Sequence, residues 1–518
     1  MIKPSKVSDT PFNNKLKAPD RSYNDNLHII KINLPGGIVA AGDLLDILNA
    51  AEKVGVKNVS LGNRQQLFLS VNDDRLEDLE HEFSISDIDF EIGTDLHPNI
   101  VSSYVSEDIF STSNWLREGV YKDILDLFEF KPKLKINIAD NNQTFIPFFT
   151  GNLNYIAAES NNYWHLHIRF PKTNIFYTWP ALIYTEDIPS LSLDIERVIL
   201  ANKSHFYDQQ DIDGNLLFLE VSPDKQITRT PGDKLALPDF QLPYYEGFNP
   251  YDDKFWLGIY KRNEQYSVAF LKDVCALCLQ SRIGQLNTTP WKSLIIKGIN
   301  QEERKLWNWI LAKPRINVRH ASNELNWQTE DHCEHALKLK QHLIRQFDKA
   351  DIRTFKLCFA IKINPKTGLF GSVIIRKKTE EVQLYTDPLE LFDILHTRDF
   401  NPNSKDFITY RESLNFTDLP AALIELCNHF YEIQTSGDIL SPVEWNIPEP
   451  KQSDEIPELV QHCKQCQTVY DPLYGDAASG VKAGTKFEHL PDSYCCPVCE
   501  APKSHFARID KKLLTGFV

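Results

Sequence analysis

Residues 463–506 read CKQCQTVYDPLYGDAASGVKAGTKFEHLPDSYCCPVCEAPKSHF. Two C-x2-C pairs, Cys463/Cys466 and Cys496/Cys499, stand near its ends with 29 residues between them. One such knuckle presents two thiolates to a point, and two knuckles complete a tetrahedron, so the stretch implies a bound metal. An S4 set suits iron, which moves electrons, and zinc, which holds shape.

The residues between the pairs favour iron. Tyr470-Asp471-Pro472 follows the first knuckle, then Gly475-Asp476, Gly480-Val481 and Gly484-Thr485. Phe487-Glu488, Leu490-Pro491-Asp492, Lys503 and Phe506 complete the pattern. Over residues 460–518 the chain resembles a rubredoxin. A domain this short buries little core and needs a metal to hold it. Tyr470, Phe487, Tyr494 and Phe506 would form a small aromatic core, and the Gly and Asp-Pro positions suit tight turns. The resemblance implies one Fe(III)/Fe(II) ion held by Cys463, Cys466, Cys496 and Cys499, with Cys495 a non-ligand. Gln467 and Glu500 stand where the family usually has glycine, and Tyr494 where it usually has tryptophan.

The whole chain has 518 residues, enough for several domains, and 42% hydrophobic residues. Net charge is −15, without a long basic run, so nucleic acid and anionic membrane are poor partners. No apolar run is long enough to span a membrane, and no secretory h-region opens the chain. Cys275, Cys278, Cys333, Cys358, Cys427 and Cys495 are scattered, which fits a reducing cytoplasm.

Upstream, residues 27–97 read β-α-β-α: alternation over His28–Ile32, an amphipathic helix over Asp43–Lys53 ended by Gly55, a strand pair around Asn63-Arg64-Gln65, and a helix from Asp73-Asp74. The order recurs about 229 residues later, as a duplicated domain pair does. Ser267–Leu271 reads as a strand, Lys272–Arg282 as a helix, and Gly284 as the counterpart of Gly55. Thr289-Pro290-Trp291-Lys292-Ser293-Leu294-Ile295-Ile296 aligns with Gly62-Asn63-Arg64-Gln65-Gln66-Leu67-Phe68-Leu69.

These halves resemble the ferredoxin-like halves of assimilatory nitrite and sulfite reductases. Arg64-Gln65 matches that family's T-x-R-Q element, with Gly62 for Thr. Residues 289–294 look like the element of the precorrin-3B synthase relatives, with Lys292 for Arg. The expected fold class is α+β: duplicated ferredoxin-like half-domains with two larger α/β sirohaem-reductase-like segments, followed by a small metal-stabilised rubredoxin-like domain. The expected boundaries are a polar arm 1–26, half one 27–97, segment one 98–235, half two 265–312, segment two 313–435, a Pro/acid linker 436–459, and the metal domain 460–518.

The reductase family ligates a [4Fe–4S] cluster through C-x5-C and C-x3-C. Residues 313–435 hold only Cys333, Cys358 and Cys427, so no [4Fe–4S] cluster is expected. Sirohaem is a polycarboxylate, and Arg64, Lys292, Arg315 and Arg319 are its candidate partners; solvated or salt-bridged surface bases are the competing reading. Cys275 and Cys278 sit in an apolar helical run and read as core thiols. His332, Cys333 and His335 read as one helix without a further ligand cluster, and His165 and His167 as one polar strand face. No P-loop, G-x-G-x-x-G or nucleophile elbow is present, so nicotinamide or flavin would be bound by a partner.

The sequence therefore points to an electron-transfer protein with an Fe(Cys)4 centre, serving nitrite or sulfite assimilation. Its donor would be a flavin or iron–sulfur reductase and its acceptor a reductase. The alternatives are a tethered oxidoreductase that binds a tetrapyrrole and reduces an oxyanion, and a zinc-ribbon scaffold.

Overall fold

The two halves of the duplication exchange strands. In the computed structural model one antiparallel sheet runs Tyr266–Ser267, Asn58–Leu61, Leu67–Asn72, Leu27–Ile32, Glu91–Ile92 from edge to edge. The other runs Gly247–Tyr251, Lys254–Ile259, Leu294–Ile299, Gln285–Thr288, Ile38–Ala40. Tyr266 pairs with Val59 in the first sheet, and Val39 with Leu286 in the second. Each half thus completes the other's sheet. Helices Ala41–Lys53 and Val268–Gln280 pack together over one shared apolar core. The structure describes residues 26–438 and 459–510, apart from 112–114, 222–225, 233, 365–367, 379–389, 405, 467, 473 and 477–478. The arm at 1–26 and the linker at 436–459 fall almost entirely outside them.

The repeat register is 227 residues, from Ala41 to Val268 at the two helix starts, rather than 229. Of Ser267–Leu271 only Ser267 is strand. Ser267 Oγ accepts from Phe270 N and caps a helix that begins at Val268. Val268, Leu271, Cys275 and Cys278 are buried at helical spacing, so the apolar run belongs to a helix face rather than to an alternating strand. Gly284 is not the partner of Gly55. Arg282 is, at φ +57 against +85, and Ile283 N→Cys278 O repeats Val56 N→Ala51 O. A glycine's usual place past a helix end is held there by an arginine.

The alignment of the two hairpin turns holds in three dimensions. Gly62 N→Gln66 O (2.9 Å) and Gln65 N→Gly62 O (3.0 Å) recur as Thr289 N→Ser293 O and Lys292 N→Thr289 O, both 3.0 Å. Gln65 and Lys292 both have positive φ, +63 and +55.

Two further layers follow the halves. The first is a seven-stranded sheet, ordered Thr228–Arg229, Leu182–Tyr184, Tyr163–Arg169, Leu153–Ala157, Ile136–Ala139, Val101–Ser102, with Phe176–Thr178 also paired to Tyr163–Arg169. The second is five-stranded: Trp327–Thr329, Phe359–Lys362, Val373–Lys377, Leu391–Thr397, Phe407–Asn415. Its apolar face packs under helices Glu334–Lys349 and Leu419–Asp438. The chain divides into two compact units at Ser436/Gly437. The second unit carries a three-stranded antiparallel sheet, Val469–Tyr470, Leu459–Cys463, Phe506–Asp510. Among the described residues no helix is long and apolar enough to cross a membrane.

Buried charge pins the second hairpin turn to the last layer of the body. Lys292 Nζ donates to Glu264 (2.7 Å), Thr329 Oγ1 (3.1 Å) and Glu330 O (3.2 Å). Lys340 reaches the same Glu264 carboxylate at 3.3 Å. Burial opposes every charge here, yet the two ammoniums hold Glu264 at about 2, and Glu264 and Asp331 lift Lys292 above its ordinary value. Removing one member leaves its partner charged and dry. Lys292→Met is expected to destabilise the body by about 3 kcal/mol, read as a lower thermal midpoint by near-ultraviolet circular dichroism; a midpoint equal to the parent's would mean the network contributes nothing.

Candidate metal centre and a basic cluster

Each knuckle of the second unit turns on the same backbone bond. Cys463 N donates to Thr468 O and Cys496 N to Ala501 O, both at 2.8 Å. The tight loops bring Cys463, Cys466, Cys496 and Cys499 together, with all four sulfurs within 4.8 Å of one another. Cys463 Sγ lies 3.6 Å from Cys499 Sγ, and Cys466 Sγ 3.4 Å from Cys496 Sγ. A tetrahedron with metal–sulfur bonds of 2.3 Å has edges of about 3.8 Å, so the set fits a single tetrahedral ion. Cys463 and Cys496 are buried, and Cys466 and Cys499 are half-buried. Thr468, through its hydroxyl and then its backbone N–H, draws the Cys466 thiol down to about 6.

Beside the sulfurs, Tyr470, Phe487, Tyr494 and Phe506 form the expected ring cluster, with centroids 5.0 to 6.4 Å apart. Tyr494, in place of the expected tryptophan, donates from its hydroxyl to Asp476 Oδ2 at 3.0 Å. Burial, then Asp476, raises its pKa. Gly475 has φ +65, and a Cβ there would come within 2.6 Å of Val481 O, so the turn admits only glycine. Glu500 adopts φ +58 at the equivalent of a glycine position, a conformation that strains a side-chain-bearing residue. Gln467 lies outside the described residues. Cys495 stands apart from the four: its thiol is exposed and faces Ser493 O.

In the first unit the four candidate cations divide. Arg64 is buried and donates to Asn99 O (2.7 Å), Ile136 O (2.9 Å) and Asn137 Oδ1 (3.1 Å). Lys292 is spent on the network above. Asp331 links the two turns, accepting from Asn63 N at 3.1 Å and lying 3.4 Å from Lys292 Nζ. Arg315 and Arg319 are exposed on the loop after the Arg304–Ala312 helix and join neither.

Lys135 and Lys362, absent from the candidates above, gather with Arg64 around Arg169. Lys135 immediately precedes strand Ile136–Ala139 and Arg169 ends Tyr163–Arg169, both of the seven-stranded sheet, and Lys362 ends Phe359–Lys362 of the five-stranded one. Arg169 acts on Arg64, Lys135 and Lys362 alike. Burial brings Arg64 and Arg169 each down to about 10 and depresses both lysines. Among the described residues neither Lys135 nor Arg169 has a carboxylate within 4.0 Å; Asp95 acts on Lys135 from further off. His165 and His167 share the Arg169 face of Tyr163–Arg169, with ring centroids 6.5 Å apart. The alternation that marks the two histidines runs on to Arg169 and was the available signal.

His332, Cys333 and His335 do not share a helix. Cys333 is the N-cap of Glu334–Lys349, its Sγ accepting from Ala336 N, and His332 precedes it at φ +56. Its ring packs edge-on to Phe68, 4.4 Å between centroids. Cys275 and Cys278 are fully buried in the shared core, and burial raises both thiols.

A family model described as Rubredoxin matches residues 461–506. Rubredoxin-2 of Chlorobaculum tepidum is 49% identical over 47 residues, 9% of this chain and 90% of that protein. Rubredoxin-2 of Desulfovibrio desulfuricans is 47% identical over 55 residues, 10% of this chain and 89% of that protein. The NirA protein of Mycobacterium tuberculosis superposes with a TM-score of 0.59 at 11% identity, over 78% of this chain and 81% of that one. The chain belongs to the rubredoxin family through its C-terminal domain, and its body has a NirA-like fold.

Two predictions follow from these sites. Cys466→Ser or Cys499→Ser is expected to abolish stoichiometric metal binding, whereas Cys495→Ala retains it; metal analysis of the purified variants decides. The second concerns His332, whose Nε2 is sealed and has no partner among the described residues. Burial, then Lys292, lowers its pKa to about 4. In the unfolded chain it titrates near 6.5. The unfolded state therefore binds the extra proton between these values, and stability present above pH 6.5 is lost as pH falls toward 4, by up to about 3 kcal/mol. His332→Phe should lessen the fall of urea midpoints between pH 7 and 4.5, with His167, also lowered to about 4 by burial, supplying part of the remainder; an unchanged slope would place the titrating group elsewhere.

Proposed function

We propose that this protein is a cytoplasmic electron carrier whose C-terminal iron centre serves nitrite or sulfite assimilation. The observation that carries the reading is the convergence of four cysteine sulfurs in a rubredoxin domain. An iron ion bound there supplies one-electron chemistry between Fe(III) and Fe(II). The chain's own contribution is geometric. Backbone turns fix all four sulfurs before any electron arrives, so little reorganises on transfer. Half-burial of Cys466 and Cys499 leaves one side of the centre open to a partner, while Cys463 and Cys496 face the interior. The donor would be a flavin or iron–sulfur reductase, because the chain carries no nucleotide-binding motif of its own. The acceptor would be a reductase.

One observation favours a second reading, in which the body is itself an oxidoreductase. Arg64, Lys135, Arg169 and Lys362 crowd together while Asp95 and Glu330 supply only partial compensation. A polycarboxylate such as sirohaem, or an oxyanion, would neutralise that excess. In this reading Arg64 and Lys292 hold the turns in place rather than meet the ligand directly, and Arg315 and Arg319 lie too exposed to lead.

The ultraviolet–visible spectrum of natively purified protein, with metal analysis of the same sample, separates the readings. Thiolate-to-iron bands that bleach with dithionite, without a Soret band, are expected for the carrier. A Soret band in addition would put the oxidoreductase first. A colourless protein with stoichiometric zinc would overturn both, leaving a zinc-ribbon scaffold.

A further inference from the structure

Thr468 stands second after Cys466 in the first knuckle, and Ala501 stands second after Cys499 in the other. Their main chains behave alike. Each carbonyl accepts from the first cysteine of its own knuckle at 2.8 Å, and each N–H faces the sulfur of the second. One group breaks the symmetry. Thr468 Oγ1 lies 3.0 Å from Cys466 Sγ, while Ala501 has no hydroxyl to offer. Among the described residues the sulfur is that hydroxyl's hydrogen-bond partner. A cysteine that ligates a metal has lost its proton, so the hydroxyl can only donate.

We propose that Thr468 sets the reduction potential of the centre: its hydroxyl gives Cys466 Sγ a second hydrogen bond, and this raises the potential above that of the same site without it. The inference rests on the iron reading above. Reduction adds one electron to the iron from an external one-electron donor, breaks no bond and moves no proton. The tetrathiolate centre goes from one net negative charge to two. A donor aimed at a ligand sulfur stabilises the more negative state more, so reduction becomes easier. Thr468 is half-buried, which limits competition from water for the same hydroxyl. It is a positioning residue that acts through Cys466 rather than on the metal.

The test is an equilibrium redox titration of the iron-loaded full chain against a one-electron dye of known potential, followed in the visible bands. Thr468→Val keeps the branched shape and removes the hydroxyl; it is expected to shift the equilibrium about tenfold toward the oxidised form, equivalent to ~59 mV for one electron. Thr468→Ser keeps the hydroxyl and should titrate with the parent. Loss of packing alone would not separate serine from valine in this order. An iron-loaded valine variant at the parental potential, or a serine variant that falls as far as valine, would overturn the proposal. If the valine variant fails to retain iron, Thr468→Ala is read by the same criteria. A parent chain without reducible iron would overturn the iron reading, and this inference with it, before any variant is made.

Discussion

Four sulfurs within 4.8 Å of one another are stable as thiolates only around a cation. That constraint organises the C-terminal domain. A three-stranded sheet and four aromatic rings cannot fix two long loops unaided. The loops are held because each carries half of a metal site, and metal binding becomes part of the folding free energy. The strain at Glu500 fits the same picture: a backbone conformation that glycine would take freely is tolerated where metal ligation over-determines the loop.

The body spends its buried charge differently. Around Lys292, cations and acids are matched, with Glu264 serving two ammoniums and Asp331 tying two turns together. Around Arg169 they are not, and half-buried cations lean on distant acids. The duplication supplied both environments. The two hairpin turns share a backbone path but project different residues, Arg64 and Gln65 from one, Trp291 and Lys292 from the other. One turn braces the seven-stranded layer and the other grips the last sheet. The path is common to both turns; what each holds is not.

Legibility in the sequence followed the range of the interactions. The four ligands could be read directly because ligand spacing within a knuckle is local chemistry. The hairpin alignment could be read because an apolar run follows each turn at the same spacing, Leu67-Phe68-Leu69 in one and Leu294-Ile295-Ile296 in the other. The helix start at Val268 could not, because an apolar run after one serine reads equally as a strand until the cap is seen. Arg282 in a glycine's role hides a helix end for a similar reason: the residue type carries the wrong signal, and only the backbone reveals it. The basic cluster was beyond reach for a different reason. Lys135 and Lys362 belong to two separate layers of the body, and nothing along the chain marks them as neighbours of Arg169 in space.

The exchanged strands carry a consequence for how this chain is made. Strand Asn58–Leu61 is an uncovered sheet edge until Tyr266–Ser267 arrives to pair with it. Roughly 200 residues must leave the ribosome in the interval, which at about 5–20 residues per second lasts roughly 10–40 s. Throughout that time the nascent first half presents an open edge of the kind that invites pairing with other chains. Neither half is a finished unit that could be expressed apart from the other, and a break placed between them would leave two pieces, each lacking a strand that only its sibling encodes.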